Sequence, residues 1–231
     1  MAIAFESEYE SVSGSSANPA IPNVNVTGDD RFLVYALLLE NTSQTCSGVN
    51  LDDGGGGSAQ AFTQIGTAVD VEASNFRIYF WGLKAPSTSS NRRIIATLSG
   101  SDNYQSGATN YTGVDQTTPT TDTQQGTDAS SPGSQLNTSN LNGSWQLGIA
   151  NNPYNNMVLT AGGVDRTQVG SAAKVGWIED SNADIASGNT NTFAWTFDTK
   201  MGWITCMMRP SASAPAGGGS RFDSLTLMGV S

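Results

Sequence analysis

Apolar residues in this chain occur in short runs separated by polar, glycine-rich stretches. The clearest run is RFLVYALLLE, from Arg31 to Glu40, which has the length of a strand and no polar face. Such a run is typical of a strand buried on both faces or of a sandwich core, although a short buried helix shows the same pattern. The turn residues before the run and the β-branched and polar residues after it favour a strand.

Further strand-like runs follow in the first half. The segments 46–51 and 62–65 flank the four glycines 54–57, which predicts two strands joined by a flexible loop. The glycine run lacks the Gly-Lys-Ser/Thr end of a phosphate-binding loop, so it predicts no nucleotide site. The segments 75–84 and 91–99 are rich in aromatic and β-branched residues, and we expect them to form a hairpin with a long connection.

The second half repeats this rhythm after a polar interval. The stretch 115–140 follows the weaker strand signal ATNYTGV and contains hardly any apolar residues, so we expect a long surface excursion there. The strand-like runs that come next are SWQLGIA (144–150), NMVLTA (156–161), KVGWI (174–178), TFAWTF (192–197) and WITCMM (203–208). No segment places apolar residues at helical spacing over three turns, which argues against alternating strands and helices.

The whole pattern predicts an all-β fold, an antiparallel Greek-key or jelly-roll-like β-sandwich, because that architecture accommodates many short strands with unequal loops. We take residues 1–210 as the sandwich domain. Residues 211–231 read as a Gly/Ser/Ala/Pro-rich linker and a C-terminal arm, which either returns to its own sheet or adds a strand to a neighbouring subunit. The apolar residues of this inter-subunit arm are Phe222, Leu225, Leu227 and Val230.

Composition and charge exclude some partners. Apolar residues make up 37% of the chain and charged residues only 13%, as expected for short strands and many turns. A net charge of −10 argues against a nucleic-acid partner, because phosphate binding depends on clustered Lys and Arg. The opening MAIAFESEYE does not resemble a secretory signal and no run has transmembrane length, so we expect synthesis in a cytoplasm and no membrane partner.

The chain has no histidine, and its two cysteines, Cys46 and Cys206, are far apart in sequence. The lack of histidine removes the commonest general base and the commonest zinc ligand. Both cysteines sit beside strand-like residues, which favours two buried thiols and leaves a disulfide open. We therefore predict a non-enzymatic protein with no catalytic residues, no cofactor and no metal site.

Paired carboxylates are the remaining catalytic candidates, since glycosidases on β-sandwiches use Asp and Glu. Most acidic residues here lie in polar loop sequence. Glu179-Asp180 follows a strand-like run, and we interpret this pair as a solvated strand end. Together with Asp29-Asp30 and Asp52-Asp53 it offers oxygen ligands for calcium, but the ordered spacing of a calcium loop is missing.

Tryptophan supplies the other candidate chemistry, a stacking platform for a sugar. The five tryptophans lie in apolar strand contexts, which favours packing in a core. Trp145 and Tyr154 flank the polar segment NNPYNN and are the least core-like aromatic residues. They are the candidates for glycan contact.

Several motifs, one at residues 1–5 and the others along residues 31–210, carry a family resemblance. The motifs are the opening MAIAF, the core strand RFLVYALLLE, CSGVNL before FTQIG, RIYFWGLKAPSTSSN, ATNYTGVDQTTP, GGVDRTQ and GWITCMMRP. With these the chain resembles jelly-roll-like β-sandwich virion proteins encoded by phages and environmental viral sequences. The stretch YTGVDQTTP is the most specific piece. The glycines 54–57 and the tail 211–231 depart from the pattern.

The resemblance implies a structural component of a phage particle, with no catalytic residues to transfer. We expect a capsid decoration (cement) protein on the outer surface of the virion, whose partners are the major capsid protein and copies of itself. A trimer is the expected unit by analogy with other decoration proteins. The alternative is a tail-fibre or receptor-binding module that attaches to host glycans. A polysaccharide depolymerase is a third reading, which requires an Asp or Glu pair converging in a cleft.

Overall fold

The computed structural model describes residues 1–52, 59–72, 75–88, 90–154, 157–169 and 175–212. All regular elements in these ranges are β-strands, which confirms the predicted all-β class. No helix within the described ranges is long and apolar enough to cross a membrane.

The structure contains eighteen described strands. They are β1 (Ala4–Ser16), β2 (Ala20–Val24), β3 (Phe32–Leu39), β4 (Cys46–Asp52), β5 (Gln60–Ala61), β6 (Thr63–Gln64), β7 (Val69–Glu72), β8 (Phe76–Lys84), β9 (Arg92–Leu98), β10 (Asp102–Thr112), β11 (Thr120–Asp128), β12 (Gly133–Thr138), β13 (Trp145–Asn152), β14 (Met157–Ala161), β15 (Val164–Val169), β16 (Val175–Asp180), β17 (Thr190–Phe197) and β18 (Met201–Met208).

The strand order occurs twice. In the first half, one sheet has the order β1-β10-β3-β8-β6, with β7 also paired to β8, and a second sheet has the order β2-β9-β4-β5. In the second half the orders are β11-β18-β13-β16-β15 and β12-β17-β14. Each half thus has the two-sheet, doubled Greek-key topology of a jelly roll, and all pairs are antiparallel. We call β1–β10 the first roll and β11–β18 the second roll.

The two rolls pack face to face as four layers of sheet. The sheets that contain β3 and β13 are the inner sheets, and those that contain β9 and β17 are the outer sheets. A central apolar core lies between the inner sheets, with side chains from β3 and β8 on one side and from β13 and β18 on the other. A second core fills the first roll and a third fills the second roll. The range 1–210 therefore holds two jelly rolls.

Alternation along the inner strands explains why they read as continuous apolar runs. In β3, Phe32 and Val34 face the central core, whereas Leu33 and Tyr35 face the core of the first roll. Successive side chains of a strand point to opposite faces, so a strand between two cores needs apolar residues at every position. All eight residues of β3 are buried, which confirms the prediction of a strand buried on both faces.

The stretch YTGVDQTTP forms the crossing from the first roll to the second. Gly113 has φ +68°, and a Cβ there would lie 1.9 Å from the carbonyl oxygen of Ala2, so only glycine fits. The Asp115 carboxylate accepts bonds from the backbone N–H groups of Thr117 and Thr118 at 2.7 and 3.0 Å. The backbone is therefore tightly constrained at the crossing between the rolls.

Two expectations about elements were wrong. Residues 115–140 are not one surface excursion, because they contain β11 and β12, which pair with β18 and β17. Both β11 and β12 are polar edge strands, which carry too few apolar residues to show a strand pattern. The segments 75–84 and 91–99 do not form a hairpin, since β8 lies in the inner sheet and β9 in the outer sheet of the first roll.

Both cysteines are buried and unpaired, in agreement with the preferred interpretation. Cys46 lies in the core of the first roll and Cys206 in the central core. Burial raises the pKa of both thiols, which keeps them protonated at neutral pH.

The central core predicts how the two rolls unfold. Phe80 is fully buried there, and Phe80→Ala should lower the free energy of unfolding by about 3–5 kcal/mol. Because the cavity lies between the rolls, urea unfolding should remain a single transition with a lower midpoint. The control Ile95→Ala, on the outward face of β9, should cost less than about 1 kcal/mol. Two separate transitions in the wild type would contradict a shared core.

Candidate functional site

The densest group of buried ionisable residues lies on β16 and the strands around it. Glu179 and Asp180 end this strand, and both are 0% exposed. The interpretation of this pair as a solvated strand end was therefore wrong. Neighbouring residues on a strand point to opposite faces, so Glu179 faces the outer sheet of the second roll and Asp180 faces the first roll.

Asp180 is held by a cation and a phenol. The Arg166 guanidinium donates from Nε and Nη2 to the two carboxylate oxygens, at 2.6 and 3.0 Å. The Tyr111 hydroxyl donates to Oδ2 at 3.0 Å. The Arg166 guanidinium also lies 4.4 Å from the centre of the Phe5 ring. Because Tyr111 and Phe5 belong to the first roll, this group, which we call the polar tie, links the two rolls.

Glu179 accepts hydrogen bonds inside the second roll. The Trp195 indole Nε1 donates to both of its carboxylate oxygens, at 2.9 and 2.8 Å. Burial and, to a smaller extent, the nearby Asp165 raise the pKa of Glu179 well above its ordinary value, while the Trp195 bond opposes that shift. Burial therefore favours the neutral form of this carboxyl over the charged form.

The arrangement limits what these carboxylates do chemically. Glu179 and Asp180 point away from each other, so they do not form a catalytic pair. Asp165 is the cross-strand neighbour of Glu179 on β15, but Glu179 has no exposed surface through which a substrate would reach it. Among the residues whose positions are described, no group of three or more Cys, Asp or Glu is placed to hold a metal ion.

A cleft of about 690 Å³ lies where the chain crosses between the rolls. Asp115, Asp184 and Arg209 line it. The Asp184 carboxylate accepts a bond from the Trp145 indole at 3.0 Å, and Asp115 lies 3.8 Å from the Arg209 guanidinium. Backbone hydrogen bonds and Arg209 lower the pKa of Asp115. The charged groups of this cleft are thus already engaged in contacts within the protein.

The two proposed glycan-contact residues are not brought together. Trp145 is only 7% exposed and packs in the central core, so the interpretation of Trp145 as one of the least core-like aromatics was wrong. Tyr154 is 43% exposed and lies beyond the opposite end of β13. The eight residues of β13 separate them by roughly 23 Å at ~3.3 Å per residue.

Sequence patterns gave no signal for most of this site. The polar tie joins residues that are 14 and 69 positions apart in the chain, and only the fold brings them together. Arg166 lies in the motif GGVDRTQ, and nothing in that motif indicates an ion pair with Asp180. The arm residues Phe222, Leu225, Leu227 and Val230 lie outside the described residues.

No family model, no curated protein and no solved structure matches this chain.

The polar tie yields a prediction about stability. Arg166→Met leaves a fully buried carboxylate without its cation and should lower the free energy of unfolding by about 3–5 kcal/mol. The control is Arg93→Met, because the Arg93–Asp52 pair has a similar contact of 2.9 Å but side chains that are 48% and 27% exposed. This control should cost less than about 1 kcal/mol. Equal losses in urea unfolding would contradict the tie.

Glu179 yields a prediction about pH. Its pKa is raised in the folded protein, so its contribution to stability is fully present below the unfolded pKa of about 4.3 and is lost as the pH rises toward the folded pKa. The free energy of unfolding of the wild type should therefore fall, relative to Glu179→Gln, as the pH is raised from about 4 to about 8. Urea titrations of both proteins across this range give the difference. A difference that does not change with pH would contradict a raised pKa of Glu179 in the folded protein.

Proposed function

We propose that this chain is a non-enzymatic structural protein of a phage particle, a capsid decoration (cement) protein on the outer surface of the shell. The observation that carries the proposal is the tandem arrangement of two jelly rolls that share one central core. Jelly rolls are the architecture of many viral capsid domains.

The arrangement supports a mechanical role. Side chains from eight strands of the inner sheets pack together in the central core, and the polar tie adds a buried ion pair and a phenol bond at the same joint. Two rolls held at a fixed orientation make a stiff body, because the joint cannot open without exposing apolar surface. A protein that braces neighbouring shell subunits needs this stiffness.

The sequence resemblance supports the same class of protein. Its most specific stretch, YTGVDQTTP, is the crossing that sets the second roll against the first. In this proposal the partners are the major capsid protein and further copies of this chain, with a trimer as the expected unit. The net charge of −10 suits a surface that faces solvent.

Binding to shells tests the proposal. The full chain, added to shells of the encoding phage that were assembled without it, should co-sediment with saturation at a fixed ratio to the major capsid protein. Occupied shells should also lose integrity at a higher temperature than bare shells, since a ligand that binds only the assembled state stabilises it. Absence of co-sedimentation at micromolar concentrations would refute the decoration role.

One observation favours the alternative, attachment to host glycans. Tyr154 is 43% exposed and lies in the asparagine-rich loop between β13 and β14, and exposed aromatic rings stack on sugars.

Under this alternative, Tyr154→Ala should abolish binding on a glycan array without changing the unfolding curve. The outward-facing Val158→Ala, at 57% exposure, is the control and should bind as the wild type does. A wild-type protein that binds no glycan would eliminate this alternative.

A further inference from the structure

The two rolls differ at one sheet edge. In the outer sheet of the first roll, β4 is flanked by β9 and β5. In the second roll, β14 occupies the place of β4 and β17 that of β9, but within the described ranges no strand pairs with the other edge of β14. The second roll therefore offers a strand position that the first roll fills with its own chain.

The length of one connection accounts for the difference. Ten residues separate β4 from β6, which leaves room for β5, whereas only Gly162 and Gly163 separate β14 from β15. Gly162 has φ +90°, and a Cβ there would lie 2.0 Å from the Thr192 carbonyl oxygen. At Gly163 a Cβ would lie 2.3 Å from the Asp180 carbonyl oxygen. This connection is too short and too tightly enclosed to supply a fourth strand.

Apolar side chains beside this edge are incompletely covered. Leu159 on β14 and Trp177 on β16 pack against the core of the second roll but are only partly buried. In the first roll the same side is closed, because Phe62 is 6% exposed and contacts the Tyr35 ring, while Tyr79 on β8 is 4% exposed. Val158, also on β14, is 57% exposed. A strand added to β14 would cover Leu159 and Trp177.

Charge restricts what binds there. β14 reads MVLTA and carries no charge, in a protein whose net charge is −10. The segment 221–230, RFDSLTLMGV, has one Arg and one Asp and is neutral. Pairing of this segment with β14 of another copy therefore adds no repulsion at the contact. Leu225 and Leu227 alternate with Ser224 and Thr226, which places the two leucines on the same face of a strand.

We propose that the free edge of β14 accepts the segment 221–230 of a second copy as an added antiparallel strand. The residues 211–220, SASAPAGGGS, have the composition of a flexible linker, which spans about 17 Å on average. Backbone hydrogen bonds to β14 supply affinity, and the leucines of the added strand cover Leu159 and Trp177. This inference rests on the proposed function, for which it names the contact between copies.

Sedimentation of the full chain across a range of concentrations tests the inference. The wild type should self-associate, and the double variant Leu225→Asp/Leu227→Asp should weaken association at least tenfold. Val158→Lys, which places a charge on the edge strand, should do the same, because a lysine there opposes strand addition. The matched control is Asn50→Lys on β4, the counterpart of β14, whose two edges are already paired. It should associate as the wild type does.

Hydrogen exchange locates the contact. The amides of residues 157–161 should exchange more slowly as the protein concentration rises, and this protection should vanish in the Leu225→Asp/Leu227→Asp variant. A wild type that stays monomeric near 1 mM would overturn the inference. So would protection of β14 that is independent of concentration, which would mean that a chain fills its own edge.

The two proposals fail separately. Shell binding without self-association would overturn the added strand and leave the decoration role standing. Self-association through β14 without shell binding would refute the decoration role and leave the added strand standing.

Discussion

Burial of the two inner sheets against each other is the constraint on which this structure depends. Each inner sheet has an apolar face toward its own roll and another toward the partner roll, so strands such as β3 and β18 are buried at every position. Neither roll alone would cover the central face of its inner sheet. The polar tie lies at the rim of this contact, where Tyr111 of one roll reaches Asp180 of the other. The unit of stability is therefore the pair of rolls.

Much of the fold class was predictable and little of its organisation was. The apolar runs identified β3, β8, β9 and the main strands of the second half because their cores demand regular apolar residues. The edge strands β11 and β12 were not predicted, since a polar strand with few apolar residues has the composition of a loop. The duplication was also hidden, because the rolls share a strand order but differ in residues: the all-apolar β3 corresponds to β13, which carries Gln146 and Asn151.

The candidate site was less predictable than the fold. Glu179 is buried by the outer sheet of its own roll and Asp180 by the first roll, and sequence patterns show neither; their partners Trp195 and Tyr111 are distant in the chain. Trp145 was misplaced for a related reason: the polar residues 151–156 at one end of β13 say nothing about the other end. The buried charges thus link the two rolls, whereas β14, which among the described residues pairs only with β17, lies in the outer sheet of the second roll.

Cryo-electron microscopy of particles that contain this protein tests the structural role most directly. If the chain is a decoration protein, we expect density for the two packed rolls on the outer surface of the shell, in regular positions, with the segment 213–231 crossing to a neighbouring copy. Density at a fibre tip, or no ordered density on the particle, would contradict the decoration role.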